Sequence, residues 1–111
     1  MAKHEFGIMQ IPPEKGERFD FYEPEKYNCI YIDDDYIEPL LAELQTVACY
    51  WHTLLKPEKG LAYYGITLIA PQSIDSLINI LVSRNKQVYF PVINLFRQAL
   101  EEGKYIIHFG I

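Results

Sequence analysis

The stretch DDDYIEPLLAELQTVACYWHTLL, residues 33–55, carries the most regular pattern in the chain, and its reading decides the fold. Ile37, Leu40, Leu41, Leu44, Ala48, Trp51 and Leu55 recur at spacings of three and four, and Val47 and Leu54 widen the stripe. That spacing puts them on one side of a 3.6-residue helix, with Glu38, Gln45, His52, Thr53 and Lys56 on the other. The pattern predicts an amphipathic helix of about five turns. Lys56-Pro57 would end it, because a residue before proline is pushed out of the α region. The start has two registers. Asp35 caps with Glu38 at the third position, or Glu38 caps with Pro39 at the first, where its missing N–H costs nothing. The second suits the regular part better. In both, Asp33, Asp34 and Asp35 sit at the favourable positive end of the helix dipole.

Outward from this stretch, Asn28–Ile32 reads as an interior strand, apolar on both faces. Pro57-Glu58-Lys59-Gly60 reads as a turn, and Leu61–Ala70 as the strongest strand, with Gly65 marking a bulge or a close backbone approach. Ser73 is placed to cap a second helix buried through Ile74, Leu77, Ile78 and Leu81, with Asn85 at its C-terminal end. A third helix runs from Val88 or Pro91 to Glu102, with Val92, Ile93, Phe96, Ala99 and Leu100 on its apolar face and Gly103 just past its end. Tyr105–Phe109 reads as a last strand.

Residues 1–27 are the least regular. His4–Met9 reads as a short edge strand with a frayed start, Pro12-Pro13 breaks it, and Glu14–Glu17 turns. Phe19, Phe21, Tyr22 and Tyr27 stand among acids, and rings in such number are expected to pack over the core; the other use for them is a binding edge. The order β-β-α-β-α-α-β implies one α/β or α+β domain over residues 1–111. It would hold a small single-layer sheet of three to four strands, mixed or antiparallel, packed with about three helices. If the strands flanking the long helix are neighbours, their crossover is right-handed.

The net charge of −5 is unevenly spread. Residues 1–55 hold eleven acids and four bases, a net of −7, and residues 56–111 hold four acids and six bases, a net of +2. This argues against nucleic acid, which needs a basic stripe, and suits a basic protein partner or plain solubility. No apolar run approaches a membrane span, and Met-Ala-Lys-His-Glu lacks the apolar core of a signal peptide, so the cytosol is the expected compartment. Cys29 and Cys49 are too few for a disulfide framework or a zinc site and are expected to be reduced.

Candidate chemistry is thin. Asp33-Asp34-Asp35 after a strand could hold Mg²⁺ or Ca²⁺, but an EF-hand loop needs glycine where Glu38 stands, so a charged strand-to-helix turn is expected. His52 with Cys49 three residues before it lacks an orienting group, and a surface histidine near a helix end explains it. His108 alternates with Ile107 and Phe109, facing solvent or a polar contact. Ser73 has no Gly-x-Ser-x-Gly context, and no glycine-rich phosphate loop or zinc-binding spacing occurs. No cofactor or metal is expected.

By size and charge the chain resembles bacterial immunity-type proteins, which neutralise a partner toxin. That resemblance and the charge asymmetry imply a non-enzymatic, inhibitor-like interaction protein. Its surface would be Asp33, Asp34, Asp35 and Glu38 with Tyr22 and Tyr27 of the arm. Two other classes stay open: a ligand-binding or enzymatic domain with a pocket between sheet and helices, where Asp33, Asp35 and His52 come first, and a homodimer joined through its Tyr-rich strand or arm.

Overall fold

Among the described residues six strands form in chain order: β1 (Lys3–Ile8), β2 (Ile30–Asp33), β3 (Ala48–Trp51), β4 (Pro57–Lys59), β5 (Ile66–Ile69) and β6 (Ile106–Phe109). Three α-helices accompany them: a single turn, α1 (Leu41–Leu44), and two long helices, α2 (Pro71–Ser83) and α3 (Phe90–Glu102). The computed structural model describes residues 2–111. The strands make one sheet, ordered β2-β1-β6-β5-β3-β4, and every neighbouring pair is antiparallel. The fold is therefore α+β with six strands, which corrects the expected three to four.

The two missing strands lie inside residues read as helix and turn. The predicted helix over 33–55 does not form. Asp34–Tyr36 and Glu38–Leu40 are 3₁₀ turns, α1 adds one α-turn, and Gln45, Thr46 and Val47 close it with backbone bonds to Leu41, Glu43 and Leu44. The chain then becomes β3. The reason lies in the second half of the stretch, Thr46-Val47-Ala48-Cys49-Tyr50-Trp51. These are mostly β-branched, aromatic or small residues that suit a pleated surface, and Val47 and Cys49 are buried while Thr46 and Ala48 are exposed. Leu44 and Val47, three apart, extend the helical stripe only by coincidence. Pro57 does not stop a helix; it opens β4, an edge strand, where proline's missing donor is tolerated.

Each sheet face has its own cover. On one face Phe6, Ile8, Ile69 and Ile106 meet α2 through Ile74, Leu77, Ile78 and Leu81 and α3 through Val92, Ile93, Phe96 and Ala99. Both buried helix stripes match the sequence expectation, except that Leu100 is 38% exposed. Pro71 rather than Ser73 sets the helix start: Ala70 is the N-cap, Ser73 makes no cap bond with its side chain, and its amide bonds the Ala70 carbonyl. Asn85 and Gly103 take the left-handed conformation just past α2 and at the end of α3. On the other face Met9, Ile66, Leu68, Ile107 and Phe109 lie under Phe19, Tyr27 and Cys29 of the arm. Phe21 and Tyr22 stay outside, 77% and 61% exposed.

Strand positions also depart from expectation. β1 was expected at an edge and is interior, between β2 and β6; β2 was expected inside and forms an edge. The strands before and after the predicted helix, β2 and β5, are separated by β1 and β6, so no crossover joins neighbours there. The last strand is the one that sits between β1 and β5, connected to β5 through the α2–α3 hairpin.

The arm reaches the sheet at Gly7. A Cβ there would lie 2.7 Å from both Cys29 Sγ and the Tyr27 carbonyl oxygen. Gly7→Val should therefore destabilise the protein by about 1–3 kcal/mol in urea unfolding and loosen the amides of Asn28 and Cys29 in hydrogen exchange. Gly16→Ala, with nothing near its added methyl, should stay within about 0.5 kcal/mol of the parent.

Candidate functional site

Strand parity brings a row of polar side chains onto the helix-covered face. His4, Phe6 and Ile8 share one side of β1, Ile106 and His108 one side of β6, and Thr67 and Ile69 one side of β5. The register sets Phe6 opposite His108 and His108 opposite Thr67. His4, Thr67 and His108 are each 0% exposed. A polar group so buried must be hydrogen-bonded, and each one is.

The bonds form a single chain across three strands. The Ala62 amide donates to Thr67 Oγ1 at 2.8 Å. Thr67 Oγ1 lies 3.0 Å from His108 Nδ1, His108 Nε2 lies 2.9 Å from His4 Nδ1, and His4 Nε2 lies 2.8 Å from Asp34 Oδ1. The Tyr63 hydroxyl donates to Asp34 Oδ2 at 2.5 Å. The ends fix the direction. Asp34 as a carboxylate only accepts, so His4 Nε2 carries the hydrogen and His4 Nδ1 accepts from His108 Nε2–H. Thr67 accepts from Ala62, so its own hydroxyl donates to His108 Nδ1. With both histidines neutral every atom in the chain has a partner. The His4 and His108 rings also stack, at 5.2 Å, and Phe6 lies tilted against His108 at 4.9 Å.

The environment tunes the groups accordingly. Burial, with His4 beside it, pushes the His108 imidazole well below its ordinary range. Burial would raise the Asp34 carboxyl, but the bonds from Tyr63 and His4 outweigh it and hold Asp34 low. The Tyr63 phenol, donating to that carboxylate, rises to about 12.

The acidic cluster is thus divided. Asp34 belongs to the buried chain. Asp33 is half-buried and accepts from the Asp35 amide at 2.8 Å, while Asp35 and Glu38 face solvent. Tyr22 donates its hydroxyl to Glu5, and Glu5 pairs with Tyr31 of the edge strand on the arm-covered face. Tyr31 is 62% exposed, with the Lys3 ammonium 5.3 Å from its ring centre. Tyr27 is half-buried over Phe109. Beside Tyr22 opens a cleft of about 680 Å³ whose walls include Lys3, Asp20, His52, Tyr64 and Phe109.

His52 is not on a helix. It directly follows β3 with a φ of 64° and pins the arm: its Nδ1 donates to the Phe19 carbonyl at 2.9 Å, and its own carbonyl accepts from the Phe19 amide. Cys49 lies in the helix-side core, not beside His52. Burial pushes its thiol up to about 11 and that of Cys29 to about 12, the opposite of what a nucleophilic thiolate needs. Among the described residues, no group of three or more His, Cys, Asp or Glu side chains is arranged to hold a metal ion, and no helix is long and apolar enough to cross a membrane.

His4, expected in a frayed end, is at the centre of the site; Thr67 drew no reading of its own, and Tyr63, a ring expected to pack in the core or sheet, is instead the donor to Asp34. One signal could have found the pair: His4 has the parity of Phe6 and Ile8, and His108 that of Ile106, so both belong to buried strand faces. Comparison with protein families, curated proteins and solved structures returned no match to this chain. The functional reading therefore rests on geometry and charge.

Thr67→Val keeps the shape but leaves the Ala62 amide and His108 Nδ1 without partners. It should cost about 1–3 kcal/mol for each group left unsatisfied, read by urea unfolding at neutral pH. The pH dependence follows from the shifts. His108 and Asp34 both titrate lower when folded, so the unfolded chain binds more protons and stability falls with falling pH. The His108 part starts to go below about pH 6.5, and the Asp34 part below the usual carboxylate range. Tyr63 acts the other way, its contribution present below pH 10 and lost as pH rises towards 12. Melting temperature measured from pH 3 to 12 should trace both limbs, and Tyr63→Phe should make the alkaline one shallower, with Tyr22, Cys29 and Cys49, also raised by folding, keeping the rest of it.

Proposed function

We propose that this protein is a non-enzymatic interaction module of the immunity or inhibitor kind, which binds a basic protein through the acidic and aromatic surface around β2. One observation carries the reading. The edge strand presents Tyr31 at 62% exposure, continues into the exposed carboxylates of Asp35 and Glu38, and has Tyr22 beside it, held through Glu5. Clustered carboxylates steer a basic partner, and tyrosines supply contact area at low entropic cost. Asp33 borders this surface, whereas Asp34 and Tyr27 support it from within. Cys29 and Cys49 are free thiols, which suits a cytosolic setting.

A second reading, a small-ligand site, is favoured by the cleft of about 680 Å³ and its aromatic walls. Affinity capture from host lysate at low and high salt, with parent and D35K/E38K proteins side by side, separates the readings. The interaction reading expects a stoichiometric basic protein that is lost at high salt. Association of the double variant should be at least about tenfold slower, with a shallower salt dependence. A partner held equally by the double variant, or a dimer mass in sedimentation with no partner, overturns it.

A further inference from the structure

We propose that the Thr67–His108–His4–Asp34–Tyr63 chain is an acid-operated latch. While the histidines are neutral it holds the Asp34–Leu40 turn and the Tyr63 loop on the sheet. When His108 takes up a proton, those two segments release while the α2–α3 core stays folded. The inference does not depend on a partner, but it concerns the segment that carries Asp35 and Glu38.

The row joins two loops to two central strands. Asp34 and Tyr63 belong to two loops, and the histidines belong to β1 and β6 in the middle of the sheet. Asp34 is the first residue of the turn that leads through Ile37 to Leu40, and its amide also bonds the Ala2 carbonyl at 3.0 Å. The Tyr63 carbonyl accepts from the Ile111 amide at 2.9 Å, so the same loop holds the strand end after β6. From the helical side the turn is held by Tyr89, whose hydroxyl donates to the Tyr36 carbonyl at 2.7 Å.

A proton added to His108 makes both of its ring nitrogens donors. The new hydrogen on Nδ1 points at Thr67 Oγ1, which can accept it beside the Ala62 amide, but the Thr67 hydroxyl then loses His108 as its acceptor in the row. A buried donor is left without that partner, and a cationic imidazole sits at 0% exposure with no carboxylate bonded to it. Release of the two loops lets the protonated ring be hydrated.

The groups facing the histidines are few. Asp34 and Tyr63 come from the loops and Thr67 from β5; Glu38 and Tyr64 act on Tyr63 from farther away. The Phe6 ring lies tilted against His108, and α3 contributes the Phe96 ring against Phe6. Lys3 lies over Tyr31, and Glu5 bonds Tyr22 of the arm. Asp34 is the one carboxylate bonded to the pair, and it contacts His4 alone; His108, behind it, has a neutral hydroxyl instead.

The test is amide hydrogen exchange resolved by residue on the purified protein between pH 7.5 and 4.5, corrected for intrinsic exchange. The latch expects the open population at Ile37, Leu40 and Ile111 to rise about tenfold per pH unit below about 6.5 for each proton taken up, near a hundredfold at pH 4.5. Amides within α2 and α3 should stay protected. His108→Gln can donate to His4 and accept from Thr67 but does not titrate there, so its profile should flatten. If that variant does not fold, imidazole NMR of the parent decides: His108 must gain its proton in step with loop opening. Opening that is flat with pH overturns the latch, as does protection lost uniformly over helices and loops, or a protonated His108 with the loops still closed.

Discussion

Three polar side chains lie in the centre of an antiparallel sheet with no access to water, and the structure depends on giving each a hydrogen-bond partner. Unpaired, such groups would cost a large share of the stability of a protein this size. Thr67, His108 and His4 solve the problem together, one bond at a time across three strands. The solution ends only where the row reaches Asp34 and Tyr63. That end condition gives the row a direction and ties two loops to the central strands. It also takes one carboxylate out of the acidic cluster and leaves its neighbours for solvent or a partner.

The second constraint is that both faces of the sheet must be covered. Two amphipathic helices close one face, and an irregular arm rich in rings closes the other. Gly7 and His52 fix the arm's path, Gly7 by letting the backbone approach and His52 by bonding it. The cover on the arm side is incomplete. Phe19 and Tyr27 go under while Phe21, Tyr22 and Tyr31 stay out, so aromatic and acidic groups collect near one sheet edge. The proposed interface thus follows from how the second face is closed. The latch lies behind it on the first face, sharing the Asp34–Leu40 segment.

The two long helices are legible in the sequence because their apolar residues repeat over three turns and their ends carry Pro71, Pro91, Asn85 and Gly103. The stretch over 33–55 failed for a specific reason. Its early part makes tight helical turns and its later part a strand, and the two periods overlap at Leu44 and Val47. Ala48–Trp51 is a strand only because β5 and β4 pair with it, and those partners lie up to some twenty residues away in the chain. The exposed members of the candidate surface, Tyr22, Asp35 and Glu38, could be named from composition. The row of His4, Thr67 and His108 could not, because its members stand 41 and 104 residues apart.

The sequence by itself determined the two long helices, the buried face of each, four of the six strands and the acidic, ring-rich character of the first half. These are local properties, set by side-chain periodicity, turn residues and charge within a short window. Tertiary structure decided the rest: strand order, the conversion of a helical pattern into turns and two strands, and the meeting of His4 with His108. Pairing in a sheet is a contact between distant segments, and its energy depends on which neighbour each strand finds.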